Sequence, residues 1–141
     1  MMLEVQLRYA PLPVIGRFAW HYFFVVSDET GRHRWEVWQT QNAGGVCVSG
    51  HVHRDLKQPD DGVGGGPSRL AQEWDGEAAR RLSEVLNRVK TYPHCGKYRL
   101  WPGPNSNSFV AWVLREAGIE FELDPRGVGR NFGRRYFTAK Q

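Results

Sequence analysis

The segment Phe18 to Val26 constrains this chain most. Phe18, Trp20, Tyr22, Phe23, Phe24, Val25 and Val26 leave it without a polar face. Aromatic and β-branched residues in such density predict a central strand buried on both faces. A strand of that kind needs partners on either side and a layer above and below it.

The flanking sequence supplies candidates. Leu3 to Tyr9 alternates apolar and polar residues, the period of a half-buried strand, and Pro11 and Pro13 end it. Ser27 to Gly31 reads as a turn, so that Arg34–Thr40 returns as a hairpin partner of Phe18–Val26. Asn42 to Gly45 reads as the next turn and Val46–Val52 as a fourth strand. The stretch from Gln58 to Ser68, rich in Gly, Pro and Asp, predicts a mobile loop that could serve as a lid.

Beyond the loop the period changes. Asp75 is a suitable N-cap for a helix reaching about Tyr92, with Ala78, Leu82, Val85, Leu86 and Val89 on one face and Pro93 as its stop. Tyr98–Trp101 reads as extended and Pro102-Gly-Pro104 as a rigid turn. Asn105 or Ser106 then caps a second helix through about Ala117, with Gly118 as the C-cap. Phe109, Val110, Trp112, Val113 and Leu114 cover most of that helix, which places it centrally. Ile119–Leu123 and Tyr136–Thr138 are expected as short closing strands. The fold class is therefore α+β, an antiparallel sheet of four to six strands packed on two helices, and residues 1–141 form one domain.

Composition limits the function classes. No run of 18 apolar residues exists, so no membrane span is expected. Glu4, Gln6 and Arg8 interrupt any secretory signal, which points to a cytoplasmic protein, with export by a dedicated secretion machine left open. Net charge is +4, and Arg126, Arg130, Arg134, Arg135 and Lys140 form a basic tail over about 126–141. The excess is modest and reads as a solvated tail, so nucleic acid is disfavoured as a partner. The six tryptophans interleave with basic residues, but most fall at core positions. Cys47 and Cys95 make no redox or metal motif.

The turn Trp101-Pro-Gly-Pro-Asn-Ser-Asn-Ser-Phe109 is where chemistry is expected. Two prolines and a glycine fix the backbone just before a helix, and Asn105, Ser106, Asn107 and Ser108 fill its first turn. The N–H groups there lack intrahelical partners and carry partial positive charge, which favours an anionic nucleophile or oxyanion. A nucleophile needs a base, and His21 sits in the buried strand. A third group would orient its ring: Glu36, Gln39, Gln41 or a backbone carbonyl. Turn rigidity and capping also explain Asn105 and Ser106 without catalysis.

Three other clusters carry chemistry-bearing residue types. His51-Val-His53 with Asp55 has the period of two that puts both rings on one strand face, yet it lacks an obvious third and fourth zinc ligand. It reads as an exposed strand end. His94-Cys95 are adjacent residues in an extended segment and point apart. Gly62–Gly66 has no Lys-Ser/Thr after it and is not a phosphate loop. No metal and no cofactor are expected.

Trp101–Phe109, Thr91-Tyr-Pro93 and Val128-Gly-Arg-Asn-Phe132, with the histidine of Phe18-Ala-Trp-His-Tyr-Phe, resemble a bacterial family catalogued as domain of unknown function 3750. The resemblance covers roughly Phe18 to Phe132. More remotely, a strand histidine followed by Asn-x-x-x-Phe-Val opening a central helix is similar to the circularly permuted papain-like group of NlpC-type peptidases and lecithin–retinol acyltransferase relatives. That resemblance implies a permuted papain-like fold, with His21 as the base and Ser106 at the position those proteins fill with cysteine. It implies a hydrolase or acyltransferase acting on an amide or ester of a peptidoglycan or other acylated bacterial substrate. Asn107 would contribute an oxyanion-hole N–H, Asn105 would orient or donate, and Trp101 and Trp112 would wall the pocket. The alternative is a catalytically inactive papain-like binding module recognising a peptide, lipid or protein.

Overall fold

The computed structural model describes residues 2–41 and 46–133, with the backbone alone for 46 and 47. Six strands form one antiparallel sheet: β1 (Glu4–Pro11), β2 (Trp20–Asp28), β3 (Gly31–Val37), β4 (Val46–Ser49), β5 (Val52–Arg54) and β6 (Arg69–Trp74). Their order across the sheet is β4-β5-β3-β2-β1-β6. Helix α1 (Gly76–Leu86) and helix α2 (Ser106–Glu116) complete the α+β architecture, with a single 3-10 turn at Val89–Thr91.

The aromatic segment lies at the middle of the sheet, as its composition demands. β1 pairs with β2 along its whole length, Glu4 opposite Ser27 and Pro11 opposite Trp20. On the other side β2 pairs with β3 only from Phe24–Trp35 to Asp28–Gly31. One face of the sheet packs on the helices: Val5, Leu7, Tyr22, Phe24, Trp35 and Val37 join Leu82, Leu86, Phe109 and Val113 in the core. The alternate residues point the other way. Phe23, Val25, Arg34, Glu36 and His53 are fully buried there.

That second face explains the loop. Arg34 Nη1 donates to the carbonyls of Gln58 at 2.9 Å and Asp61 at 2.6 Å. Gly62 N–H donates to Gly66 O at 2.7 Å, and Asp61 bridges to Pro67. The segment expected as mobile is thus fastened over the sheet by a buried guanidinium.

Several boundaries differ from the sequence expectation. Val46–Val52 is not one strand, because Gly50, at φ +56°, turns the chain between β4 and β5. β6 was not anticipated: Arg69-Leu-Ala-Gln-Glu-Trp is a mostly exposed edge strand, and edges carry charge instead of an apolar pattern. The first helix stops at Leu86, and the Asp75 carboxylate makes no capping bond. Ile119–Leu123 is irregular. The turn expected at Asn42–Gly45, the strand expected at Tyr136–Thr138 and the end of the basic tail lie outside the described residues.

Candidate functional site

β3 leaves β2 just where α2 begins, and the first turn of α2 fills the gap. Had the ladder continued, Tyr22 would face Val37. Instead Ser106 Oγ donates to Tyr22 O at 2.7 Å and accepts from Val37 N–H at 3.3 Å. Asn107 acts alongside it as a one-residue strand. Its Oδ1 accepts from Tyr22 N–H at 2.8 Å, and its Nδ2 donates to Trp20 O at 2.8 Å. Both side chains are buried, so these bonds satisfy backbone groups that would otherwise be stranded.

Asn105 is the helix cap. Its Oδ1 accepts from the N–H groups of Asn107 and Ser108, and Ser108 Oγ accepts from Asn105 N–H, a reciprocal capping box. The other half of the Asn105 amide donates to Leu100 O and Val128 O. Val128 O also accepts from Asn107 Nδ2, and Gly129 O from Ser108 Oγ. Gly129 has φ +93°, and a Cβ there would lie 2.4 Å from Asn105 Nδ2. Hence the Val128-Gly129 pair and the Asn-Ser-Asn-Ser turn are two halves of one structure.

His21 belongs to a separate array. Its Nε2 lies 2.8 Å from Glu36 Oε1, and Arg34 Nη2 reaches the same oxygen at 3.0 Å. Arg34 Nε is 2.8 Å from Glu36 Oε2. The guanidinium also stacks on the Phe23 ring, 3.6 Å from its centroid. Burial works to raise the Glu36 pKa, but the hydrogen bond and charge of His21 and the charge of Arg34 outweigh it and hold the carboxyl below its ordinary value. An ionised carboxylate only accepts, so His21 Nε2 carries a proton and donates to it. Nδ1 has no hydrogen-bond partner among the described residues. Glu36 is thus the orienting group among the four considered.

The two arrays meet at a cavity of about 280 Å³. His21, Asn105, Ser106 and Asn107 supply its polar edge. Its walls are apolar, including Ile15, Phe18, Leu100 and Trp101. That is close to the lower range of small-ligand sites. Ser106 and His21 both line it, without a hydrogen bond between them. Trp101 is at its mouth. Trp112 is not in it: this ring packs in the core, 5.1 Å from the Tyr92 ring.

The remaining candidates have structural partners. His51 Nδ1 donates to Trp38 O at 2.9 Å, and His53 Nε2 to Thr40 O at 2.8 Å. His53 is wholly buried, not an exposed strand end. Cys95 Sγ donates to Val89 O, and the His94 ring packs edge-on against Tyr92 and Phe132. Among the described residues no group of three His, Cys, Asp or Glu is placed to hold a metal ion, and no helix is long and apolar enough to cross a membrane.

Two parts of the site escaped the sequence reading. Arg34 was not singled out, although a charge at alternate positions with Glu36, between apolar strands, signals a buried pair. Val128 lies in a sequence motif to which no role attaches, and nothing local to it reveals that its carbonyl receives both asparagines.

No curated protein and no solved structure matches this chain. The model of one protein family, described as "Protein of unknown function (DUF3750)", matches residues 2–132. That span holds β1 through the Val128-Gly129 loop, hence every residue of both arrays, and the chain belongs to this family.

Proposed function

We propose that the chain is a binding module of permuted papain-like build, taking a ligand with an apolar body and one hydrogen-bond-donating head. The observation that carries this is the bonding of Ser106. Its proton goes to a backbone carbonyl, which is no base, and its lone pair receives Val37 N–H. A serine nucleophile needs a base to take that proton. His21 lines the cavity with its Nε2 engaged by Glu36, and in this reading the neutral ring, protonated on Nε2, offers Nδ1 to the ligand as an acceptor. A ligand amide or hydroxyl donates to it while an alkyl or aryl body fills the walls.

The oriented His21–Glu36 pair favours a second reading, an acyl hydrolase or acyltransferase on an amide or ester of an acylated bacterial substrate. In it Ser106 turns away from Tyr22 O on substrate binding, and His21 Nδ1 takes its proton. For the Asn107 N–H and Asn105 to stabilise the oxyanion, the cap bond from Asn107 N–H to Asn105 Oδ1 at 2.9 Å must open as well. Apo sites tighten on binding, which keeps this geometry within reach.

One pair of measurements separates the two. A fluorophosphonate probe is applied to the wild type, Ser106→Ala and His21→Ala. A panel of medium-chain N-alkyl amides is titrated while the imidazole nitrogen shifts of His21 are followed by NMR. The binding module predicts shifts at His21 Nδ1 and no covalent adduct. Labelling lost in both folded variants establishes the hydrolase instead. Neither shift nor adduct rejects both.

A further inference from the structure

Two loops hold the mouth of the cavity, and both turn large apolar side chains outward. The first runs from Leu12 to Ala19 and is closed by its own backbone: Leu12 N–H donates to Ala19 O at 3.0 Å and Phe18 N–H to Ile15 O at 2.9 Å. From this frame project Val14, Ile15 and Phe18, at 104%, 42% and 71% exposure. The second is Lys97–Pro102, fixed by Arg99 N–H to Pro104 O and Asn105 Nδ2 to Leu100 O. It presents Leu100 and Trp101, at 51% and 75%. Met2 and Leu70 are the other large apolar residues so exposed among the described residues. Five of the seven therefore lie in these two loops, and four of them line the cavity.

Val14 has φ +69°. A β-branched residue in the left-handed region is strained. Its side chain meets nothing in the chain that would repay the strain. The position makes sense if Val14 has a partner outside the molecule.

Charge identifies the partner. Arg17, Lys97 and Arg99 are exposed within these two loops, and none forms an ion pair among the described residues. No Asp or Glu occurs from Val5 to Ser27 or from Val85 to Arg115. Apolar and aromatic residues interleaved with unpaired cations, in segments that themselves carry no acid, match the boundary between acyl chains and anionic headgroups. A protein partner of ordinary composition gives no reason for both features together.

We infer that the loops 12–19 and 97–102 form a docking surface for an anionic phospholipid membrane, with Val14, Phe18, Leu100 and Trp101 entering the interface and Arg17, Lys97 and Arg99 meeting phosphates. Docking so oriented opens the cavity onto the bilayer, and the apolar body of its ligand enters from there. This last step rests on the binding reading above, whereas the docking itself does not.

The test is co-sedimentation of the full chain with sucrose-loaded vesicles, either phosphatidylcholine alone or with 30% phosphatidylserine (roughly the level that sets an anionic surface potential). Binding is expected to the mixed vesicles. It should fall about fivefold for each of Arg17→Gln, Lys97→Gln and Arg99→Gln, and become undetectable in Val14→Asp/Phe18→Asp. These side chains are exposed, so folding is kept and is checked by circular dichroism. Leu70→Asp and Met2→Asp should bind as wild type. Two results overturn the docking surface: no partition into anionic vesicles, or equal partition by Val14→Asp/Phe18→Asp, which would mean diffuse charge attraction. A dimer in sedimentation velocity, abolished by Phe18→Asp without vesicle binding, would assign the face to a second copy. The His21 titration with soluble amides runs in parallel, so failure of the pocket and failure of the docking surface are told apart.

Discussion

Ser106 Oγ stands 2.7 Å from the carbonyl of Tyr22, in the place a residue of β3 would hold in an unbroken ladder. It is a bridge between two strands that have begun to part. Removing the hydroxyl leaves Tyr22 O and Val37 N–H without partners in a buried setting. Ser106→Ala should therefore destabilise the fold by about 1–3 kcal/mol. Urea denaturation checks it. A midpoint unchanged within error would show that water or the strands themselves close the gap. A mere solvent-facing nucleophile would behave in that second way.

Gly129 and Asn105 are joined more tightly still. Alanine at 129 meets a left-handed φ of +93° and puts its methyl into the Asn105 amide. The strain alone costs about 1–3 kcal/mol, and displacing the cap adds roughly 0.5–2 kcal/mol. The sharper expectation is non-additivity. In the Asn105→Ala background there is no amide to displace, so Gly129→Ala should cost only the strain. Thermal denaturation of the two single variants and the double variant measures the coupling, and simple additivity would mean that the two sites do not feel each other.

Glu36 gives a pH dependence of definite sign. Its pKa in the folded chain lies below the ordinary 4.5, because His21 and Arg34 together outweigh burial. A depressed carboxyl contributes stability that is whole above 4.5 and is lost as pH falls through the folded value. The free-energy gap between wild type and Glu36→Gln should thus narrow on acidification below about pH 4.5. Asp28, Asp60 and Asp124 are depressed as well, but they titrate in both proteins and cancel in the difference. Urea melts of the pair at several pH values read it directly. A gap that widens in acid would place the folded pKa above 4.5 instead.

The sequence was most informative where a pattern is local. The run Phe18–Val26 needs both faces covered whatever surrounds it, and it lies at the sheet centre. The prolines, glycine and capping residues of 102–108 act within a few positions, and they narrow the cap of α2 to Asn105 or Ser106, of which the structure uses Asn105. Legibility fails where the cause is distant. The partner of Ser106 lies 84 residues away on a main-chain carbonyl, and a carbonyl has no sequence signature. The same holds for Val128, which serves two asparagines by its backbone alone. β6 was lost because an exposed edge carries no apolar alternation. The papain-like resemblance put Trp112 at the pocket, whereas helical geometry turns it toward Tyr92 and the core.

Arg34 links the histidine to the glycine-rich loop, and that link is testable at the loop. One guanidinium holds Glu36 with one edge and the carbonyls of Gln58 and Asp61 with another. Lysine keeps the charge but has no planar fork, so it cannot serve both sides. In Arg34→Lys the ammonium should stay with Glu36, because leaving a buried carboxylate unpaired costs about 3–5 kcal/mol. The loop carbonyls are then released. Hydrogen exchange should speed up at Gly62 and Ser68, whose N–H groups donate to Gly66 O and Asp60 O within the loop. It should not change at Phe24 or Val26 in β2, which report on global opening. Acceleration confined to the loop, by about tenfold or more for a lost restraint worth some 1.4 kcal/mol, supports Arg34 as the fastener. Uniform acceleration across β2 would mean that Arg34 holds the sheet and not the loop, and no change at Gly62 would mean that the loop keeps its shape through the Asp61–Pro67 bridge alone.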